Sequence, residues 1–417
     1  MFILAAFGVF YSHAASFGFE GASALPETAK ILVFVLAFIG FGSKAGVFPF
    51  HVWLPHAHPA APSHISAIMS GVMIKCGIYG IVRIYALLGW HAPLSGYIVL
   101  VAGMVSGILG VVYALGQHDI KRLLAYHSVE NIGIILIGIG LGMIGVSAGN
   151  PVMALLGFGG GLLHVLNHSI FKSLLFMGAG MVLHKTGTRT IDVLGGLIKK
   201  MRITGTTFLI GSLAICGLPP FNGFVSEFLI YIGGFRGAAL SQTDFALSLL
   251  AIVSLAVIGG LALACFTKVV GVVFQGEPRS AAAEAVNEKG ISMITPMVIL
   301  AGACLVIGVF PGVFAGMALK AAESLQLGYG RVPLAPFMQL TGNITRGALL
   351  FFTVFVLILL LRAFLYRGKS VTASGTWGCG FTQPTVRMQY TGSSYAGSII
   401  AFFGPLAPLE EDHPPIV

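Results

Sequence analysis

An all-α, polytopic integral membrane protein is the fold class the sequence predicts, on three observations. Hydrophobic residues make up 56% of the 417 and charged residues 9%, with a mean hydropathy of +0.94; soluble domains carry roughly 25% charged residues. Apolar runs recur, among them 31–39, 99–115, 132–145, 247–266 and 349–361, and each extends to the ~20 residues that cross a bilayer as a helix. The runs do not alternate in polarity, unlike the ~10-residue strands of a membrane β-barrel.

Ten membrane segments follow in order, at 1–17, 30–49, 61–88, 95–116, 122–146, 152–183, 204–235, 245–274, 291–319 and 346–366. The first opens directly at Met1, with no basic n-region and no small-residue cleavage site, so it does not read as a secretory signal. The second is weakened by Gly40, Gly42, Gly46 and Pro49, and the seventh is broken by Gly217, Pro219 and Pro220. Several segments exceed the simple spanning length, which predicts tilt or breaks.

Charge distribution sets the expected orientation. With ten spans, one side carries Lys121, Lys185, Arg189, Lys199, Lys200, Arg202, Arg279, Lys289, Arg367, Lys369 and Arg387, against Arg236, Lys320 and Arg331 on the other. The positive-inside rule places the first side, with the turn at 50–60 and the C-terminus, in the cytoplasm. The net charge of +9 thus reads as membrane topology, with the lipid bilayer as partner and no nucleic acid. The five cysteines (Cys76, Cys216, Cys265, Cys304, Cys379) are far apart and form no CxxC pair, which argues against iron–sulfur ligation. No P-loop and no GxGxxG in a strand–helix setting exist, so neither ATP-driven transport nor dinucleotide binding is expected. No cofactor or metal is expected in this chain.

The chemistry is carried by ionisable residues inside apolar segments, where they are costly and tend to line ion or proton pathways. Lys44 lies beside glycines and a proline, and an interrupted helix can line a hydrated cavity; a snorkelling lysine is the alternative. Lys75 has at least ten mostly apolar residues on either side, beyond the reach of its stem to an interface. Between the two lysines lies a turn with His51, His56, His58 and His64. His164, His168 and Lys172, spaced i, i+4, i+8, share one helix face. No carboxylate or thiolate completes a zinc site with them, and a proton-carrying stripe suits groups that titrate near neutrality. Interhelical hydrogen bonding is the alternative. Glu227 follows the break at 217–220, which repeats the arrangement of an ionisable group beside a broken helix.

Five residues are weaker candidates. Glu130 sits one turn into a span beside His127, where it pairs with Lys121 or Lys75 on this reading. Lys268 stands near a span end and could snorkel, as Arg83 could anchor. Asp119 and Lys121 in HDIKRLLAYHS begin a helix, with the aspartate at its positive end.

The stretches GSKAGVFPFHVWLPHAHPAAPSHISA with Lys75 after it, QHDIKRLLAYHSVENIG, HVLNHSIFKSLLFMGAG and GLPPFNGFVSEFLIYIGGF occur in this order. Together they resemble the antiporter-like membrane subunits shared by respiratory complex I, Mrp-type cation/proton antiporters and energy-converting hydrogenases. The tail GTWGCGFTQPTVRMQYTGSSYA resembles the hydrogenase-4 and formate hydrogenlyase branch of these subunits.

The resemblance implies a remnant of two inverted five-helix repeats. Residues 1–95 would hold the end of the first repeat with Lys44, Lys75 and the histidine turn, and 96–275 the second repeat. Additional helices would follow at 276–366, then a cytoplasmic tail at 367–417. Residue by residue, Lys44 and Lys75 match the lysines of the first repeat's broken helix and of the helix after it. His164, His168 and Lys172 match the polar stripe of the second repeat, and Glu227 the ionisable residue of its broken helix, which is lysine in some relatives.

Family members begin several helices earlier and carry there a carboxylate partner for Lys44. Glu20 and Glu27 fall instead in the connection before Lys44, so the chain reads as N-terminally truncated. The implied function is proton translocation in a prokaryotic inner (plasma) membrane, coupled to redox chemistry in other membrane and peripheral subunits. Nickel–iron and iron–sulfur centres would lie in those partners, making this a subunit of an oxidoreductase complex without a redox centre of its own. The alternatives are a Na⁺(K⁺)/H⁺ antiporter subunit and a proton-pumping NADH–quinone oxidoreductase subunit.

Overall fold

The computed structural model describes residues 1–330, 332–370, 379–381, 383 and 385–405. The helices used below are α1 (Phe2–Ala14), α2 (Glu27–Ala45), α3 (Leu54–Ala60), α4 (Ser63–Leu88), α5 (Pro93–Leu115), α6 (Ile120–Ser147) and α7 (Pro151–Thr186). They continue with α8 (Arg202–Ile215), α9 (Asn222–Phe235), α10 (Gln242–Phe274), α11 (Ile291–Val309), α12 (Pro311–Glu323), α13 (Ala335–Leu365) and α14 (Gly392–Phe403). No strand runs through the described residues; a single bridge joins Asp119 and Thr190. Eight of these helices are long and apolar enough to cross a membrane.

The ten expected segments map onto this order, with the expected break in the seventh and with differences in the ninth and the first. Segment 204–235 is two helices, α8 and α9, separated at the glycine and prolines that weaken it in sequence. Segment 291–319 is also two helices, because Phe310 leaves helical geometry and Pro311, which has no N–H to donate, opens α12. The first segment forms the 13-residue α1, below spanning length.

Helix α6 is the centre of the bundle, with 94% of its most apolar window buried. Membrane helices approach closely where small residues line the seam, and α6 has such a seam on two sides. A Cβ on Gly103 of α5 would lie 2.8 Å from the Ile137 nitrogen, and one on Gly138 would lie 3.0 Å from the Gly157 carbonyl of α7. Helix α7, with 36 residues, is about 54 Å long at 1.5 Å per residue and packs against α4, α6, α8, α9, α11 and α12. Helix α13 contrasts with both: only 6% of its apolar window is buried.

Part of the segment expected as a tail is folded onto the body. Thr391 and Ser394 form a reciprocal cap that starts α14. Ala396 is buried, and Ile399 and Ile400 pack onto the core beneath. Residues 371–378 and 406–417 of that segment, with part of the tail motif, lie outside the described residues, as does Arg331.

Candidate functional site

The histidine turn is closed by backbone contacts from distant basic residues. Gly46, at φ 81°, ends α2 in the left-handed region that suits glycine. Lys121 Nζ donates to the Ala61 carbonyl at 2.5 Å, and Arg189 Nη1 donates to the Pro59 carbonyl at 2.5 Å. Arg189 is held in turn by Asp119 at 3.0 Å, and Asp119 caps α6 by accepting from the Lys121 and Arg122 N–H groups. Asp119 therefore starts a helix as its sequence position predicts, and Lys121 anchors the turn.

Within the turn, His56 and His64 are exposed, whereas His58 is fully buried and stacks on Phe176 at 4.8 Å. Burial, aided by repulsion from Lys172, Lys121 and Lys75, lowers His58 to about 3. Desolvation also lowers His51.

A π-helical turn interrupts α4 at Met69–Met73, and π turns frequently mark functional sites. It hands backbone carbonyls to side chains. Lys75 Nζ donates to the Ser70 carbonyl, Ser169 Oγ of α7 donates to the Gly71 carbonyl, and the Ser70 hydroxyl meets that of Ser128 at 2.9 Å. The buried amine of Lys75 is thus fixed at the break in its own helix.

Helix α7 carries His164, His168 and Lys172 on one buried face, all with no exposed surface. His164 is fully bonded, Nδ1 to Ser226 Oγ of α9 at 2.9 Å and Nε2 to Asn131 Oδ1 of α6 at 3.1 Å. Neither nitrogen of His168 has a protein partner, nor does Lys172 Nζ, which lies 5.8 Å from the Phe176 ring centroid. Phe176 is thus the ring that both His58 and Lys172 approach.

Glu130 is placed differently from its sequence reading. Its carboxylate pairs with neither Lys121 nor Lys75; Oε2 meets His127 Nδ1 one turn earlier on α6. Asn131 Nδ2 reaches the same oxygen at 3.4 Å. A continuous line of buried polar groups results, running His127–Glu130–Asn131–His164–Ser226 across α6, α7 and α9.

At the far end, Asn167 and Asn222 bond reciprocally and pin the start of α9 to α7. Asn167 Nδ2 also donates to Ser226 Oγ at 2.9 Å. Glu227 follows Ser226 and lies against the α8–α9 break: a Cβ on Gly217 would sit 2.5 Å from Glu227 Oε2. Gly217, at φ 64°, is the residue whose missing side chain leaves room for that carboxylate.

Two candidates stand apart. Lys44 occupies the last turn of α2 and is exposed, away from the buried line. Lys268 is buried, and its amine donates to the Leu115 and Gln117 carbonyls at 2.5 and 3.0 Å. It closes the C-terminal end of α5 and does not snorkel. Sequence reading passed over Asn131, Asn167, Asn222 and Ser226, whose one signal was an amide or hydroxyl in an apolar segment; His58 and His127 were visible but given no role.

Broken helices, a buried titratable line and a lysine at a π turn define an antiporter-like membrane subunit. The chain belongs to the NADH:quinone oxidoreductase/Mrp antiporter transmembrane family, whose model matches residues 1–259. It is 48% identical over 282 residues to hydrogenase-4 component B of Escherichia coli K12, covering 66% of this chain and 42% of that protein. Formate hydrogenlyase subunit 3 of the same organism is 45% identical over 282 residues, 66% of this chain and 46% of that protein. The chain thus spans less than half the length of either relative. Among solved structures, a chain of the membrane-bound sulfane sulfur reductase, an archaeal respiratory membrane complex, matches with TM-score 0.74 and 26% identity. That match covers 96% of this chain and 66% of the other.

Proposed function

We propose that this chain is the proton-translocating membrane subunit of a hydrogenase-4 or formate-hydrogenlyase-like complex in a prokaryotic inner membrane. The observation that carries this reading is the buried line from His127 and Glu130 through Asn131 and His164 to Ser226, flanked by Lys75, Lys172 and Glu227. A fixed sodium or potassium site would gather several oxygen ligands, as oxygen-binding cations require. This line carries instead imidazoles and a carboxylate, and its flanking groups are amines and a second carboxylate, all of which exchange protons.

In this reading, Lys75 and Lys172 are amines whose charge depends on a partner nearby, and Glu130 and Glu227 are the acids that supply it. Loss of a proton at one site changes the cost of holding one at the next, so a charge displaced by redox chemistry in a partner subunit passes along α6, α7 and α9. Lys44 belongs to the first repeat, apart from this line. Asp119, Lys121 and Lys268 hold the framework through backbone contacts. Nickel–iron and iron–sulfur chemistry belongs to the partner subunits, the basic side faces the cytoplasm, and 1–95 is the end of the first repeat and 96–275 the second. Identity to hydrogenase-4 component B over two thirds of the chain favours this branch over an Mrp-type antiporter.

The test is substitution in the intact complex. Lys75→Ala or Glu227→Gln abolishes redox-linked proton movement in vesicles while electron transfer in the soluble subunits persists. Undiminished proton movement in both variants overturns the relay. Sodium-dependent transport with no hydrogen or formate oxidation selects the antiporter.

A further inference from the structure

Helices α4 and α11 both pack on α7, and the seam beside them widens at one end. A cleft of roughly 960 Å³ lies where the starts of α4 and α11 meet the end of α7. Its wall is mostly apolar, made by Met177, Gly180 and Leu183 of α7 and by Met293 and Pro296 of α11. The polar residues that line it, Ser63, His64, His184 and Ser292, all stand at helix ends. The cleft is therefore amphipathic, apolar in its depth and polar at its mouth.

The apolar part continues along α7. Leu166, Ile170, Ser173 and Met177 recur at intervals of three and four and stay at least partly exposed, so they form one open row. From Leu166 to Met177 the row is about 17 Å long at 1.5 Å per residue, close to one leaflet of a ~30 Å hydrocarbon core. The Ser173 hydroxyl does not make this row polar, because it donates to the Ala67 carbonyl of α4 at 3.4 Å. On either side the helices turn apolar residues outward, Ile68 and Val72 on α4 and Val298 and Ile299 on α11. The seam thus opens onto surface that faces lipid.

The mouth is basic. His184 is followed by Lys185, and the exposed Lys289 stands three residues before Ser292, next to the Gly290 that precedes α11. The nearest acid in sequence, Glu288, is taken up at the start of α8, where it accepts from the Ile203 and Thr204 N–H groups. Neither Pro62 before α4 nor Gly290 before α11 supplies a side-chain cap. The first N–H groups of both helices therefore add positive potential to a place already lined by cationic side chains.

We propose that the cleft and its seam hold one anionic phospholipid, with the phosphate at the basic mouth and an acyl chain along the open row of α7. Charge complementarity selects this occupant. A zwitterionic lipid would bring an ammonium group against the same lysines and helix starts, whereas an anionic headgroup brings only negative charge. Helix α13 is the contrast within the chain: Leu349–Leu361 is exposed, apolar and free of charged residues, so it takes shell lipid without regard to headgroup. The site depends on the membrane fold and not on the relay.

The test is photo-crosslinking in the intact complex, reconstituted in phosphatidylcholine vesicles with a photoreactive phosphatidylglycerol as a minor component. Adducts are mapped by mass spectrometry at Met177 and Met293, with Leu349–Leu361 as the shell-lipid reference. The expected result is labelling of the cleft well above α13 with this probe, and no such excess with a photoreactive phosphatidylcholine. Lys289→Ala should lower the excess about fivefold, and Met177→Trp, which fills the floor of the cleft, should remove labelling at Met293 while α13 labels as before. The exposed Lys289 carries the decision if the tryptophan variant does not assemble. Equal labelling of the cleft by both probes, or an excess that survives Lys289→Ala, reduces the cleft to ordinary shell lipid and overturns the proposal. A cleft that neither probe reaches while α13 is labelled overturns it too, since a partner subunit would then cover it.

Discussion

One turn of α7 separates a satisfied site from an unsatisfied one. His164 has both ring nitrogens bonded, to Ser226 and Asn131, whereas His168 and Lys172 on the same face bond to no protein atom. Both regions are fully buried, so burial alone does not distinguish them. Buried polar groups are nearly always paired with protein or ordered water, and each part of the stripe meets that demand differently. Around His164 the side chains pair with one another, which fixes the geometry of three helices. His168, Lys172 and His58 have no side-chain or backbone partner among the described residues, and the proposed relay assigns the moving proton to these groups. In the proposed relay His164 is a locked joint, and His168 and Lys172 are the mobile segment beside it.

The largest expected effect is therefore at the mobile segment. Lys172→Met leaves the apolar stem in place and removes the amine, and it should abolish translocation while the protein still assembles. At the locked joint the order is reversed. Asn131→Leu strands a His164 nitrogen, at a cost of about 1–3 kcal/mol, so thermal stability in detergent should fall clearly and translocation only in part. If Asn131→Leu abolishes transport without loss of stability, the joint conducts and the comparison is broken.

His58 sharpens the same contrast through pH. Its imidazole is held at about 3, below the ordinary value of 6.5, chiefly by burial. The folded state thus prefers it neutral, and its contribution is intact above 6.5 and lost as pH falls from 6.5 towards 3. His58→Phe should keep the stacking on Phe176 and reduce the loss of thermal stability across that window; an unchanged acid profile would contradict the assignment.

The smallest effect is expected far from the line, where α14 docks. Asp192 accepts from the Gly392 N–H at 2.7 Å and pairs with His118 at 2.5 Å. Burial raises Asp192, but the bonds from His118 and Gly392 outweigh it and hold the carboxyl below the ordinary aspartate value. The docking contribution is present above that value and lost as pH falls through the depressed one. Asp192→Asn should make residues 385–405 more sensitive to protease at neutral pH, with translocation unchanged.

Much of this architecture was legible in sequence because a bilayer imposes a one-dimensional rule on helices. The break before Glu227 showed in Gly217, Pro219 and Pro220, and the stripe on α7 in its i, i+4, i+8 spacing. What could not be read was adjacency between helices. Lys268 looked like a snorkelling residue because the Leu115 and Gln117 carbonyls it meets are about 150 residues away in sequence. Glu130 was assigned a lysine partner although His127 stood three residues before it, since charge was weighed above helical spacing. Asn131, Asn167 and Ser226 carry no charge, and their place in the line depends on three helices meeting.

The most direct test of the account is proton uptake and electron transfer measured together in vesicles of the intact complex carrying Lys172→Met. The account predicts that electron transfer continues and proton uptake stops. Proton uptake at the unsubstituted rate, with electron transfer unchanged, would contradict it.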